Sequence, residues 1–440
     1  MKRNHLVWRV VVLAVTTGLS AGCGELEPAP EEVAAPVLAE EYREEVERLA
    51  ADERIRAAFR IVEELEPRTM DDLIALTEIS APPFMEDERA EEFVRLLEEA
   101  GAREVHRDGE GNVIAVRPGV EGDRVVVVSA HLDTVFPEGT DVTVQFRGDT
   151  LFAPGVGDDA RGLAVLLALL RALEEAALET RADLWFVGTV GEEGLGDLRG
   201  VKHLFREGGP PIDAFISIDG DGDETVIHQA LGSRRYRATV VGPGGHSWSD
   251  FGVANPAHAL ALALSRFDQE AAAFVADGPR TSYNVGRVGG GTSVNSVPFE
   301  TWAEVDMRSV DPERLSAIDE LFVEVLEAAL SEYNARGLDE SVSLKLDRVG
   351  DRPSGEVDLS VPLVQRSMAV VQHFGGEPEL RRSSTDANVP IARGIPAVTL
   401  ARGGSGGGAH SLDEWWVNED GHLGIQQVLL VVLAESGLAD

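Results

Sequence analysis

Val125-Val126-Val127-Val128-Ser129-Ala130-His131-Leu132-Asp133-Thr134-Val135 is the stretch that decides the fold. Four valines in a row, with no polar alternation, fit a strand buried on both faces, as in a parallel sheet covered by helices. The strand runs out into a histidine and an aspartate two residues apart. Residues i and i+2 of an extended chain point the same way, which places His131 and Asp133 on one face at the carboxyl end of the strand. Open α/β sheets carry their ligand sites at that edge.

Three further pieces repeat the pattern. Pro154-Gly155-Val156-Gly157-Asp158-Asp159-Ala160-Arg161-Gly162 is a glycine-rich turn with two carboxylates, and it leads into an apolar helix, Leu163 to Leu178. Leu184 to Val190 is a second buried strand, followed by Gly191-Glu192-Glu193-Gly194. Ala214 to Ile218 is a third, ending on Asp219. One acid after one strand is commonly a helix cap or a turn residue. Four successive units that bring acids or an imidazole to the same edge point to a metal site. Imidazole plus carboxylates, without thiols, suits zinc, cobalt or manganese.

These motifs resemble those of the co-catalytic two-zinc exopeptidase family that includes peptidase T, glutamate carboxypeptidase, aminoacylase and succinyl-diaminopimelate desuccinylase. The likeness continues through Gly244-Gly245-His246-Ser247, Asn295-Ser296-Val297-Pro298, Asp306-Met307-Arg308, Ser384-Thr385-Asp386 and Ala409-His410-Ser411, and covers the chain from about Met70 onward. The resemblance implies two divalent ions, zinc first and cobalt or manganese as substitutes, bridged by Asp158 and sharing a nucleophilic water. One ion also takes His131 and Asp219, the other Glu193 and His410. Asp133 would fix the tautomer of His131, and Glu192 would be the general base. His246 would stabilise the oxyanion from a lid domain, in this family often across a dimer. Asn295, Arg308, Ser384 and Thr385 would touch substrate. A cis Asp158–Asp159 bond is also implied.

An aspartate at position 219 resembles the tripeptidase pattern, so the expected activity is aminopeptidase-like or di- or tripeptidase cleavage of short peptides. On the same scaffold the alternative is an N-acyl-amino-acid amidohydrolase, or a carboxypeptidase. A non-catalytic peptide-binding lipoprotein is a more distant reading. It predicts damaged ligands, whereas all five proposed ligands, Asp133 and Glu192 are present.

The expected fold is α/β: a mixed, mostly parallel-core sheet with helices on both faces, interrupted by an inserted domain. Residues 41–231 form the first part of the catalytic domain and 350–440 the second. Between them, 232–349 has the order β-α-β-β-α-β of a ferredoxin-like α+β unit, which the resemblance makes the lid and the surface of a homodimer. Gly403 to Gly408 is expected to be a flexible run before His410.

At 440 residues and 43% hydrophobic content the chain can build two or three domains around a sizeable core. The formal charge of −38 excludes nucleic acid and anionic membrane surfaces as partners. The single cysteine, Cys23, excludes an intrachain disulfide. Residues 1–22 carry Lys2, Arg3 and Arg9, an apolar run from Val10 to Leu19 and the small residues Ser20-Ala21-Gly22. This predicts a secretory signal resembling that of bacterial lipoproteins, with Cys23 as the lipid anchor and 23–40 as a flexible tether. The expectation is an exported protein of the periplasm or cell envelope, attached to membrane only through Cys23.

Overall fold

The structure, a computed structural model, describes residues 38–440. The expected signal segment, Cys23 and the tether as far as residue 37 lie outside the described residues. The valine run forms a strand, Val125–His131, with every residue buried. It is the centre of a nine-stranded sheet. Asp183–Thr189 and Ala214–Gly220 flank it, both parallel to it, and Ala397–Ala401 continues the parallel core beyond Ala214–Gly220. Carboxyl ends of parallel strands share one edge, so His131, the Glu192-Glu193 loop and Asp219 converge. The hairpin Glu104–Arg107/Val113–Arg117 adds an antiparallel margin on one side. On the other side Thr225–Ala230 pairs antiparallel to Ala397–Ala401 and parallel to Glu379–Ser383.

The helix Ala160–Glu175 is buried along nearly its whole length. It packs on the central strand and on the helices Glu53–Glu64, Glu66–Thr77 and Gly421–Ser436, which explains why its sequence is apolar all round. Its start is fixed by Asp159, whose carboxylate accepts from the Gly162 backbone N–H at 3.1 Å. Gly162 lies so close to the Asp219 strand that a Cβ there would sit 2.3 Å from the Ile218 carbonyl oxygen.

A four-stranded antiparallel sheet forms the second core, in the order Thr281–Gly290, Glu300–Ser309, Gly232–Val241, Ser343–Arg352. The helices Pro256–Val275 and Pro312–Asn334 pack on it. Each begins with a capping side chain before a first-turn proline, Asn255-Pro256 and Asp311-Pro312. Phe267 and Phe322 meet edge to face at 4.9 Å between ring centroids in its interior. Four strands and two helices in this order make a ferredoxin-like unit in the expected place of the lid, and its last strand runs to Arg352, three residues past the expected boundary at 349.

Gly403–Gly408 is not a loose run. Ser405–Gly407 pairs with Trp415–Val417 in a small antiparallel sheet that also contains Thr150–Phe152 and Gln145–Arg147. The glycines let the backbone lie directly on indole rings. A Cβ at Gly404 would stand 2.7 Å from Trp416, whose Nε1 donates to the Gly403 carbonyl at 3.1 Å. Among the described residues, no helix is long and apolar enough to cross a membrane.

Gly162→Ala forces a methyl group into backbone, so it should cost about 1–3 kcal/mol of stability. Thermal denaturation checks this, and an unchanged midpoint would contradict the close approach.

Candidate metal centre

Asp158 occupies the middle of the site. Its Oδ1 lies 3.0 Å from His131 Nε2, and its Oδ2 lies 3.2 Å from His410 Nε2. His410 Nε2 is also 2.8 Å from Glu193 Oε1. Asp219 Oδ1 stands 3.9 Å from His131 Nε2. The five residues expected to bind metal therefore form one cluster. Three groups of donors fall within 4.8 Å of one another: His131 with Asp159 and Asp219, His131 with Glu192 and Glu193, and Asp158 with Glu193 and His410. The Asp158–Asp159 peptide is cis.

The surroundings orient these groups. His131 Nδ1 is 2.9 Å from the backbone carbonyl of Asp133, whereas the Asp133 carboxylate is 3.8 Å away. The carboxylate instead accepts from the backbone N–H groups of Glu192 and Glu193, at 2.9 and 2.8 Å. Support of the imidazole thus comes from the main chain at Asp133, and its side chain pins the loop of the two glutamates. Glu414 plays the matching part beneath Asp158. It accepts from the N–H groups of Gly155, Gly157 and Asp158 at 2.7, 2.9 and 2.9 Å. Buried Arg402 faces three acids, 3.3 Å from Asp219, 3.8 Å from Asp159 and 2.7 Å from Asp221. Buried Arg352 donates to Glu192 Oε1 at 2.9 Å.

A cleft of about 770 Å³ opens over the cluster. Asp158, Glu192, Glu193, Asp219 and His410 line its floor, with Asn284, Arg308 and Arg382 on its walls. Of the expected substrate contacts, Arg308 faces the cleft while bonding Asp306 at 2.7 Å, and Ser384 lies 3.1 Å from Arg352. Thr385 borders the cleft, but its hydroxyl is 2.8 Å from that of Thr399, inside the body. His246 and Asn295 are not among the described residues that line this cleft. They lie side by side on the lid, where Gly245–His246 pairs with Ser296–Val297. There His246 Nδ1 accepts from the Trp248 and Ser249 N–H groups at 3.2 and 3.3 Å, leaving Nε2 as the outward nitrogen.

Arg352, Arg402 and Glu414 escaped the sequence reading, since each acts across more than 150 residues of chain. Only Arg402 carried a local signal, a charge in otherwise uncharged company in Leu400-Ala401-Arg402-Gly403.

Burial raises the carboxyls of Asp133 to about 6, Asp159 to about 7 and Glu192 to about 8. Burial, with Asp158 beside it, lifts Asp219 well above the usual range. Burial works against the charged forms of Asp158 and His131 as well. There the imidazoles still hold Asp158 well below its ordinary value, and the carboxylates hold His131 well above its own. Hydrogen bonds to Asp158 and Glu193 lift His410 to about 10. Carboxylates packed this closely without enough cations repel, and two imidazoles with three carboxylates form a donor set that fits divalent metal.

A folded chain without metal binds more protons than the unfolded chain between about pH 4 and pH 8, because these acids titrate late in the folded state. Its stability should fall as pH rises through that window, and His410 acts in the same direction above its ordinary value. In chelator, the melting temperature should drop from pH 5 to pH 8. Added divalent metal should raise it more at pH 8 than at pH 5, and an equal or smaller rise at pH 8 would contradict this.

A model of peptidase family M20/M25/M40 matches residues 127–434. The uncharacterized protein YqjE of Bacillus subtilis is 27% identical over 373 residues, which cover 77% of this chain and 91% of that protein. The cytosol non-specific dipeptidase of Escherichia coli is 25% identical over 324 residues, covering 66% of this chain and 62% of that enzyme. Among solved structures, aminopeptidase PepT of Bacillus cereus has the same fold, with a TM-score of 0.65 at 22% identity over 84% of this chain and 98% of that one.

Proposed function

Because the chain belongs to peptidase family M20/M25/M40 and is a metallopeptidase, a hydrolase, we propose that it is an exopeptidase that removes residues from short peptides in the manner of an aminopeptidase or a di- or tripeptidase. The observation that carries this reading is the Asp158 carboxylate set between His131 and His410, with Glu193 on His410. His131, Asp158 and Asp219 would hold one divalent ion, and Asp158, Glu193 and His410 the other, zinc being the ion proposed for both. Such a pair supplies a strong nucleophile from water at neutral pH and polarises the scissile carbonyl.

The chain's own groups do the rest. Glu192 takes the proton from the attacking water and delivers it to the leaving nitrogen. It is buried, lines the cleft beside Glu193 and is held there by Arg352. Asp133 keeps Glu192 and Glu193 in place through their backbone N–H groups. Arg308 and Arg382 give the cleft cations for a substrate carboxylate or carbonyl. The preference for peptides is supported by Asp219 and by the dipeptidase named among the relatives.

His246 and Asn295 fit the same proposal if a second copy of the chain brings them to the cleft. Support comes from the apolar side chains beside them, with Trp248 86% and Phe251 90% exposed. Export, with a lipid on Cys23, completes the proposal. It is supported by residues 1–23 of the sequence, and mass analysis of the processed chain tests it.

The deciding experiment is hydrolysis of a panel of di- and tripeptides beside N-acyl amino acids, with metal content measured on the same sample. Peptides should be cleaved by a chain holding about two metals. Glu192→Ala should lose at least about 100-fold in kcat while keeping its metals. Cleavage of N-acyl amino acids alone would overturn the substrate assignment, and an active Glu192→Ala would overturn the role of Glu192.

A further inference from the structure

The lid grips the loop of the two glutamates at three points. Arg235 donates from Nη1 to the Gly194 carbonyl at 2.9 Å. The backbone N–H of Asp351 donates to Asp197 Oδ1 at 2.8 Å. Arg352 makes the most intimate contact. Its Nη1 donates to Glu192 Oε1 at 2.9 Å and to Ser384 Oγ at 3.1 Å, and its Nη2 donates to the Glu192 carbonyl. Both side chains of this ion pair are about as buried as the core, 5% exposed for Arg352 and 6% for Glu192. Water screens such a pair little, and removal of one partner leaves the other charged group stranded.

The position of Arg352 in the chain matters as much as its contacts. It is the last residue of the strand by which the chain leaves the lid, and it pairs with Ser233 on the strand by which the chain enters. The two crossings touch. A Cβ at Gly232 would lie 2.5 Å from the Ser354 backbone nitrogen, so only glycine fits between them. A rotation of the lid about this crossing therefore moves the root of Arg352. The loop it holds is itself under backbone strain. Asp197 and Leu198 have φ of 54° and 58°, and neither is glycine. Residues in that region persist where their surroundings over-determine them. The lid supplies part of that determination through Asp351, Arg235 and Arg352.

We propose that Arg352 is a positioning residue for Glu192: it ties the proton-transferring carboxylate to the lid, so that the position of the lid sets the position of Glu192. This rests on the role given to Glu192 above. Glu192 makes the proton transfer, and Arg352, which borders the cleft, directs its hydrogen bonds to Glu192 and Ser384 and acts through Glu192. Its guanidinium keeps the carboxylate over the cleft floor while Asp133 keeps the backbone.

The test uses the full chain with its metals, comparing Arg352→Met and Arg352→Lys with the parent on a peptide the parent cleaves. Arg352→Met should lose at least about tenfold in kcat, with KM within about twofold and metal content unchanged. Arg352→Lys, which keeps a cation but not the fork, should recover part of the loss. Hydrogen exchange of residues 190–198 should be faster in Arg352→Met than in the parent. A kcat for Arg352→Met within about twofold of the parent, or a loss matched by lost metal, would overturn the proposal. If the parent is active and Glu192→Ala is not, that outcome leaves the peptidase reading intact. If the parent cleaves no peptide, unchanged exchange of 190–198 in Arg352→Met overturns the proposal independently of turnover.

Discussion

The structure depends on one crowded arrangement of charge. Parallel strands deliver Glu192, Glu193 and Asp219 to one sheet edge, and the turn before the helix Ala160–Glu175 adds Asp158 and Asp159, against two imidazoles. Buried carboxylates at such spacing are stable only if something neutralises them, because loss of hydration is not repaid by like-charged neighbours. The chain answers in part. Arg402 stands against Asp219, Asp159 and Asp221, and Arg352 against Glu192. Backbone N–H groups serve Asp133 and Glu414. Asp158 and Glu193 are left to share His131 and His410, with Asp219 only partly met by Arg402, and that remainder is the chemical definition of a site for divalent cations.

The rest of the fold can be followed outward from that edge. The apolar helix Ala160–Glu175 must be buried all round, because it starts at Asp159 and lies against the strand that carries Asp219. The small sheet built on Trp415–Val417 brings Glu414 under the Asp158 turn and His410 over it. The lid closes the remaining side, and its strand ends place Arg352 on the glutamate loop. Local choices of sequence thus agree with the global arrangement, as expected of a chain with one preferred state.

Much of this was legible in the residues themselves. The valines of 125–128 announce a strand buried on both faces, and the acids after successive strands announce a shared edge. Asn255-Pro256 and Asp311-Pro312 mark the starts of the two lid helices. What was not legible is long-range or main-chain. Glu414 serves Asp158 from 256 residues away, and a lone glutamate in Asp413-Glu414-Trp415 has no periodicity to betray it. Asp133 supports His131 through its carbonyl, which every residue possesses. Ser405–Gly407 is a three-residue strand of small residues, and composition alone suggests looseness until the indoles that cover it are known. His246 and Asn295 were recognisable by motif, but that they do not line this chain's own cleft shows only in the folded structure.

The most direct test is the anomalous scattering of crystals of the chain grown with zinc. The account predicts two peaks about 3.5–4 Å apart, both beside the Asp158 carboxylate, one shared with His131 and Asp219 and the other with Glu193 and His410. A single peak, or two peaks of which neither touches Asp158, would contradict it.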